Sequence, residues 1–516
     1  MTDHNKKTNA ESIPYEAWPA DWFPDAEREA ADTLGLTLYE LMLRAGEAAF
    51  QLAVRCYPQA RRWLVICGHG NNGGDGYVAA RLAQGQGIDV TLLATESDKP
   101  LPDEAEAARV AWLNAGGVIH AADAPWPEER DLIIDGLLGT GLRNAPRAEL
   151  QLLIEKINLY PAPVLALDIP SGLLAASGAA PGAVVQAQHT LAFIALKCGL
   201  LTGKARDVVG HLHCHDLGLS AWLAAKPAPF VRLDASCLAR WLTPRRPTAH
   251  KGDHGRLLLI GGDTGTAGAI RMAGEAALRA GAGLVRVLTR SENIAPLLTA
   301  RPELMVQELT PAALGASLDW ADVVAVGPGL GTQSWGKKAL QKVENFRKPM
   351  LWDADALNLL AINPDTRQNR VITPHPGEAA RLLNCSVAEV ERDRIQAARN
   401  LAKRYGGCVV LKGAGSVIAS SQGDCALIDA GNPGMASGGM GDVLSGIIGA
   451  LLAQKLPLYD ATCAGAVAHG AAADSLARRF GTRGMLASDV IAALYSCVNP
   501  DINQRDDDDA SCFAQR

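Results

Sequence analysis

Trp63-Leu-Val-Ile-Cys67 runs directly into Gly68-His-Gly-Asn-Asn-Gly-Gly-Asp-Gly76 and then into Tyr77-Val-Ala-Ala-Arg-Leu-Ala83. This reads as a strand, a glycine-rich turn and a helical stretch in immediate succession. Five consecutive apolar residues leave the strand no polar face, so it must be covered on both sides. The turn satisfies G-x-G-x-x-G, and Glu96 follows about 20 residues later, as in a dinucleotide-binding unit. A tight turn built of glycines with no ligand satisfies the same pattern.

The alternation continues in both directions. Short apolar runs recur at Asp89–Leu93, Leu132–Ile134 and Val164–Leu167. Further runs follow at Leu257–Ile260, Leu284–Leu288, Val323–Val326, Met350–Trp352, Val371–Ile372 and Val409–Leu411, with longer helical stretches between them. Such runs imply parallel sheets covered by helices, so each half of the chain is expected to be a doubly wound α/β domain. The segment Ala224-Ala-Lys-Pro-Ala-Pro-Phe230 is rich in Pro and Ala and crosses no apolar period, which marks a linker. The domains are accordingly set at residues 11–225 and 231–500 of the 516. A content of 48% hydrophobic and 20% charged residues excludes a disordered chain, and 52 glycines suggest backbone drawn close to a ligand.

In open parallel sheets ligands gather at the carboxyl ends of the strands. Asp75 lies in the first such turn, where a carboxylate repels a pyrophosphate unless a cation or a hydrogen-bond network intervenes. Asn71 and Asn72 offer side-chain oxygens suited to a hard cation. Two more strands end in an acid, Asp135 and Asp168. One Asp after a strand is commonly a helix cap. Three of them, each beside Gly or Ser, point to a shared rim.

The motifs GHGNNGGDG (68–76), DGLLGTG (135–141) and LDIPSG (167–172) resemble the N-terminal domain of the bifunctional NAD(P)H-hydrate repair enzymes, and residues 30–46 resemble that family's first helices. The resemblance implies a Rossmann-like domain that interconverts the R and S forms of hydrated NADH and NADPH (NADHX and NADPHX). It implies dinucleotide contacts from Asn71, Asn72, Gly73, Gly74 and Asp75, and from Gly139, Thr140, Gly141, Leu142, Arg143, Asn144 and Ala145. Potassium would be held by Asn72, Asp135 and Ser171, and Asp168 would contact the hydrated ring and move protons there.

The second half carries Asn432-Pro-Gly-Met-Ala-Ser-Gly-Gly-Met-Gly-Asp442 before the apolar run Val443–Leu452. Glycine-rich backbone entering a helix offers N–H groups to an anion. Asp442 is either a helix cap or a base acting on a hydroxyl beside a phosphoryl group. This Gly-x-Gly-Asp resembles the ribokinase-like superfamily. Together with HKGDHG (250–255), GPGLG (327–331), DADALN (353–358), TPHPGE (373–378) and LKGAGS (411–416), it resembles the C-terminal domain of the same repair family. That implies a ribokinase-like, ADP-dependent dehydratase of the S hydrate. ADP would be bound by Lys412, Gly413, Ala414, Gly415, Ser416 and Gly441, and the hydrate by Ala269, Gly329, His375 and Asp442. His375, between two prolines at a strand exit, is expected to face ligand. Mg2+ would accompany the nucleotide, with ADP as co-substrate giving AMP and phosphate.

A net charge of −6 excludes an obvious nucleic-acid or anionic-membrane partner. The longest stretch without Asp, Glu, Lys or Arg, Ile169–Leu196, is broken by prolines and polar residues and makes a poor membrane span. Eleven scattered cysteines without a Cys-x-x-Cys pair, behind a polar N-terminus, read as reduced thiols of a soluble cytoplasmic protein. Asp506–Asp509 reads as a solvated tail, and a homo-oligomer is expected. His211-Leu-His-Cys-His215 imitates a zinc motif, but in a strand its histidines share one face with Cys214 opposite, and no second ligand cluster is expected nearby. No G-x-x-x-x-G-K-[ST] loop is present. The competing readings are a vitamin or sugar-alcohol kinase fused to a dinucleotide-sensing domain, and a non-enzymatic dinucleotide-sensing module.

Overall fold

The computed structural model describes residues 13–500. The acidic run Asp506–Asp509 and the first two residues of the expected N-terminal domain lie outside the described residues. The chain divides into two compact units, one reaching Val231 and the other starting at Arg232.

In the first unit, β1 (Arg62–Cys67), β2 (Asp89–Ala94), β3 (Ile119–Ala121), β4 (Leu132–Gly136), β5 (Val164–Leu167), β6 (His189–Phe193) and β7 (His211–His215) form a parallel sheet. Their order is β3-β2-β1-β4-β5-β6-β7. Side chains of β1 alternate between two cores: Trp63, Val65 and Cys67 join Ile134 and Leu167 on one face, while Leu64 and Ile66 join Ile133 and Val164 on the other. That two-sided burial is why the run lacks a polar face. The strand order reverses between β1 and β4, so the loops leaving them open a crevice at the switch point.

The helix Leu38–Cys56 starts at a reciprocal cap in which Thr37 Oγ1 accepts from Glu40 N–H at 3.1 Å and Glu40 Oε2 accepts from Thr37 N–H at 2.7 Å. The glycine-rich stretch is not a loop running to Gly76. Its helix begins at Asn71 and extends to Gly85. A Cβ on Gly73 would stand 2.1 Å from the Gly68 carbonyl oxygen, and one on Gly74 would stand 2.5 Å from Met42 Cε. Close packing of the helix start against the strand exit explains Gly73, and packing against the helix Leu38–Cys56 explains Gly74. The expected linker also differs: Phe230 is buried and opens the short strand Phe230–Leu233, paired antiparallel with Glu16–Trp18.

In the second unit, β8 (Arg256–Ile260), β9 (Leu284–Thr289), β10 (Met305–Glu308), β11 (Val323–Val326), β12 (Met350–Trp352), β13 (Arg370–Ile372), β14 (Cys408–Leu411), β15 (Val417–Ser420) and β16 (Cys425–Ile428) lie in the order β10-β9-β8-β11-β12-β13-β14-β15-β16. From β10 to β14 the pairing is parallel. It then turns antiparallel through β14, β15 and β16, against the all-parallel expectation. The connections there are too short for a crossover helix.

The histidine strand corrects another expectation. His213 Nε2 lies 2.9 Å from His189 Nδ1, and Cys56 Sγ lies 3.8 Å from the same nitrogen, so ligand-type side chains do stand nearby. The ten described cysteines form no disulfide with one another. Among the described residues no helix is long and apolar enough to cross a membrane.

Candidate functional site

In the first unit the exits of β1, β4 and β5 are tied together. Gly68 N–H donates to the Gly136 carbonyl at 2.9 Å, and Ser171 N–H donates to Asp135 Oδ2 at 2.9 Å. Ser171 Oγ donates to Asp135 Oδ1 at 2.6 Å and accepts from Leu138 N–H at 2.8 Å. Asn72 Nδ2 donates to the Leu138 carbonyl at 3.0 Å, which leaves its buried Oδ1 without a hydrogen-bond partner. An orphaned carbonyl-type oxygen beside a buried carboxylate and hydroxyl is a hard donor set.

These loops border a cleft of about 1640 Å3. Its wall contains Asn71, Asn72 and Asp75, the whole loop Gly139–Ala145, and Asp168. Gly73 and Gly74 are absent from that wall and pack as described above. Because the helix begins at Asn71, the first N–H groups of Asn71, Asn72 and Gly73 have no intrahelical partner.

Two further groups at this rim escape a motif-based reading. Lys197, buried in the short strand Leu196–Lys197, pairs with Asp168 and donates to the Phe193 carbonyl at 2.8 Å. Glu27, from the helix Phe23–Leu34, lines the same cleft. Burial first, and then the Asp168 charge, push the Glu27 carboxyl up to about 7. Burial, Asp168 and Glu27 likewise raise Asp75 well above the ordinary range against the opposing charge of Lys197. The raised Glu27 and Asp75 carboxyls thus share one rim with the Lys197–Asp168 pair. Asp168 itself has φ +62°, a backbone conformation that no residue pattern announces. No motif in the sequence assigns Glu27 or Lys197 to this rim.

In the second unit the exits of β12 and β14 meet the start of the helix Met440–Ala453. Lys412 Nζ stands 3.0 Å from Asp353 Oδ1 and 3.9 Å from Glu378 Oε2. Ser445 Oγ donates to Asp353 Oδ2 at 2.7 Å. A Cβ on Gly441 would come within 3.2 Å of Lys412 Nζ, so this glycine keeps the helix start against the lysine. Asp442 is the third residue of the helix, whose N-cap is Gly439, so it is not the cap. Burial, with Asp353 adding to it, lifts the Asp442 carboxyl to about 7 against the pull of Lys412.

The other predicted positions divide. Ala269 and Gly329 converge on Thr266: Ala269 N–H donates to the Thr266 carbonyl at 3.2 Å, and Thr266 Oγ1 donates to the Gly329 carbonyl at 2.9 Å. Gly413, Ala414, Gly415 and Ser416 form the turn between β14 and β15, closed by Ser416 Oγ donating to the Gly413 carbonyl at 3.1 Å. Buried Arg394 fixes that turn by donating to the Lys412 carbonyl at 3.0 Å. His375, expected to face ligand, has one ring nitrogen engaged in capping the helix Pro376–Leu383, where Nδ1 accepts from Gly377 N–H at 3.0 Å. The other nitrogen lies 3.5 Å from Glu378 Oε1 on an exposed ring. Asp353, Glu378 and Ser445 complete the cluster. The first two stand inside motifs already read, whereas Ser445 looks like any small residue of an apolar helix.

Comparison with known proteins bears on both units. A family model described as YjeF-related protein N-terminus matches residues 38–199, and one described as NAD(P)H-hydrate dehydratase matches residues 257–495. The bifunctional NAD(P)H-hydrate repair enzyme Nnr of Escherichia coli K12 is 70% identical over 511 residues, covering 99% of each chain. The bifunctional NAD(P)H-hydrate repair enzyme of Leishmania braziliensis is 46% identical over 530 residues, covering 94% of each. Among solved structures, a ribokinase-like superfamily protein from Enterococcus faecalis V583 matches with a TM-score of 0.50 and 29% identity, over 53% of this chain and 97% of that one. A chain so similar to these repair enzymes over nearly its full length belongs to the bifunctional NAD(P)H-hydrate repair enzyme family.

Proposed function

We propose that residues 11–225 epimerise the R and S forms of hydrated NADH and NADPH, and that residues 231–500 dehydrate the S form with ADP, giving AMP and phosphate. The observation that carries the reading is Asp442, a carboxyl lifted to about 7 and set beside Lys412 at a glycine-rich helix start.

Water added to the nicotinamide ring leaves a hydroxyl, which departs poorly. Asp442 takes the hydroxyl proton as the oxygen attacks the terminal phosphorus of ADP and the bond from that phosphorus to AMP breaks. The C–O bond then breaks with release of phosphate, the neighbouring ring carbon loses a proton, and the double bond returns. Backbone N–H groups at Gly438–Gly441 and the Lys412 ammonium meet the phosphoryl charge. The Asp353 and Glu378 carboxyls, which both face Lys412, would be the oxygens that hold a Mg2+ ion accompanying the nucleotide. When bound, that ion neutralises phosphate charge.

Epimerisation requires a bond at the hydroxyl-bearing carbon to break and re-form while protons move on and off. Asp168, held by Lys197, and the protonatable Glu27 and Asp75 supply that acid–base inventory. The family's potassium ion fits Asn72, Asp135 and Ser171, whose oxygens include the orphaned Asn72 Oδ1. When bound, it supplies positive charge beside the dinucleotide.

The test follows NADH absorbance recovered from mixed R and S hydrate. The intact chain should convert both forms with ADP. Asp442→Ala should lower dehydration at least about 100-fold with epimerisation intact, and Asp168→Asn should spare the S form while stranding the R form. A stable phosphorylated product, or no response to ADP, would overturn the reading.

A further inference from the structure

At the amino end of the first sheet, away from the cleft, Cys56, His189 and His213 present one ligand atom each, all within 4.8 Å of one another. Cys56 is the last residue of the helix Leu38–Cys56, His189 opens β6, and His213 lies on β7. Register places Leu191 opposite His213 and His189 opposite His211. Side chains two apart on paired parallel strands share a face, which brings the rings together. His189 stacks on His213 with centroids 5.2 Å apart, and Tyr57 closes edge-on over His189 at 5.5 Å. Phe193, at the other end of β6, lines the cleft. Its four-residue offset from His189 corresponds to roughly 13 Å at about 3.3 Å per residue.

From these residues we infer a second metal site in the first unit, in which Cys56 Sγ, His189 Nδ1 and His213 Nε2 bind one zinc-type divalent ion with solvent in the fourth position. Metal–nitrogen bonds of about 2.0–2.1 Å and a metal–sulfur bond of about 2.3 Å separate tetrahedral neighbours by about 3.3–3.6 Å. The observed 2.9 Å between the two nitrogens and 3.8 Å between sulfur and nitrogen lie within half an ångström or so of that geometry. Without metal, the two imidazoles must share a proton across their 2.9 Å contact. With metal, both lone pairs turn to the ion and the thiol loses its proton. One thiolate and two imidazoles select a borderline-soft ion over Mg2+ or K+, which separates this site from the oxygen donors at Asn72 and Asp135. The ion would join the end of the helix to the last strand of the sheet.

The experiment uses the full chain, stripped with chelator and titrated with Co2+. One equivalent should bind with the charge-transfer band of a thiolate–cobalt bond and the visible bands of a tetrahedral centre. Cys56→Ser should lose the charge-transfer band, and His189→Gln and His213→Gln should lose tight binding, while Cys214→Ser keeps both. Zn2+ should raise the melting temperature of the intact chain but not of the His213→Gln chain. Epimerisation should persist in every variant, since none of these residues lines the cleft, and its persistence reports that each variant is folded. An unchanged cobalt spectrum in Cys56→Ser, loss of the band in Cys214→Ser, or no binding at micromolar Co2+ would overturn the site.

Discussion

Asp442, proposed as the base, has a carboxyl lifted towards neutrality. Its carboxyl moves from the ordinary 3.8 to about 7 because burial and then Asp353 disfavour the charge, while Lys412 only partly offsets them. A base works in its ionised form, so kcat/KM for dehydration should rise with pH through about 7 and then level off. Below that point it should fall about tenfold per pH unit. The stability linkage has the opposite direction. An acid whose pKa is raised on folding holds its proton more tightly in the native state, so its contribution to stability is greatest below 3.8 and is lost as pH climbs towards about 7. Asp442→Asn should remove the rise in rate and flatten this part of the stability profile. A pH–rate series and a thermal-unfolding series on both proteins measure the two effects. A dehydration profile flat from pH 5 to about 8 would exclude Asp442 as the base.

Elements show where glycine is a packing requirement. The helices Met440–Ala453 and Ala267–Arg279 meet at Gly446, where a Cβ would stand 2.1 Å from the Ala273 carbonyl oxygen. That contact is backbone and cannot rotate away. Gly446→Ala should therefore destabilise the second unit by about 1–3 kcal/mol, a drop of several degrees in its unfolding midpoint. Gly315 lies inside the helix Pro311–Trp320 with open space around its Cβ position, and Gly315→Ala should stabilise by about 0.5–1 kcal/mol. Calorimetry of both variants decides the contrast, and equal effects would disprove it. Elements also show what a sequence discloses. Runs such as Val323–Val326 are central, buried on both faces and legible at once. Met305–Glu308 is an edge strand with polar, exposed positions, so its composition resembles a loop. The hairpin of β15 and β16 turns at Ser421-Gln-Gly-Asp424, a connection too short for a crossover that the parallel expectation overlooks. At the sites, strand-exit acids such as Asp135 and Asp168 follow from a positional rule. Glu27 and Lys197 arrive from elements distant in sequence, and no local pattern assigns them to the rim.

Across the whole molecule the two units carry donor sets of different character, and under the proposed function this predicts that their activities separate by ion. The first unit offers an uncharged Asn72 oxygen, a Ser171 hydroxyl and one carboxylate, Asp135, whose pKa burial lifts to about 6. So few formal charges suit a weakly hydrated monovalent ion better than a divalent one, whose dehydration they could not offset. The second unit offers several carboxyls around Lys412, a set suited to Mg2+ arriving with nucleotide phosphates. Replacing K+ with a bulky organic cation should therefore slow R-to-S conversion while leaving dehydration of purified S hydrate unchanged. Chelating divalent ions should do the reverse. Ser171→Ala removes an oxygen that also bonds Asp135 and Leu138, so it should weaken the potassium response and lower stability together. Asn72→Leu removes the orphaned oxygen, which makes no protein hydrogen bond, but also the 3.0 Å donation to Leu138. The informative measurement is the K+ concentration giving half-maximal epimerisation. It should rise in both variants, and a value unchanged in both would place the monovalent ion elsewhere.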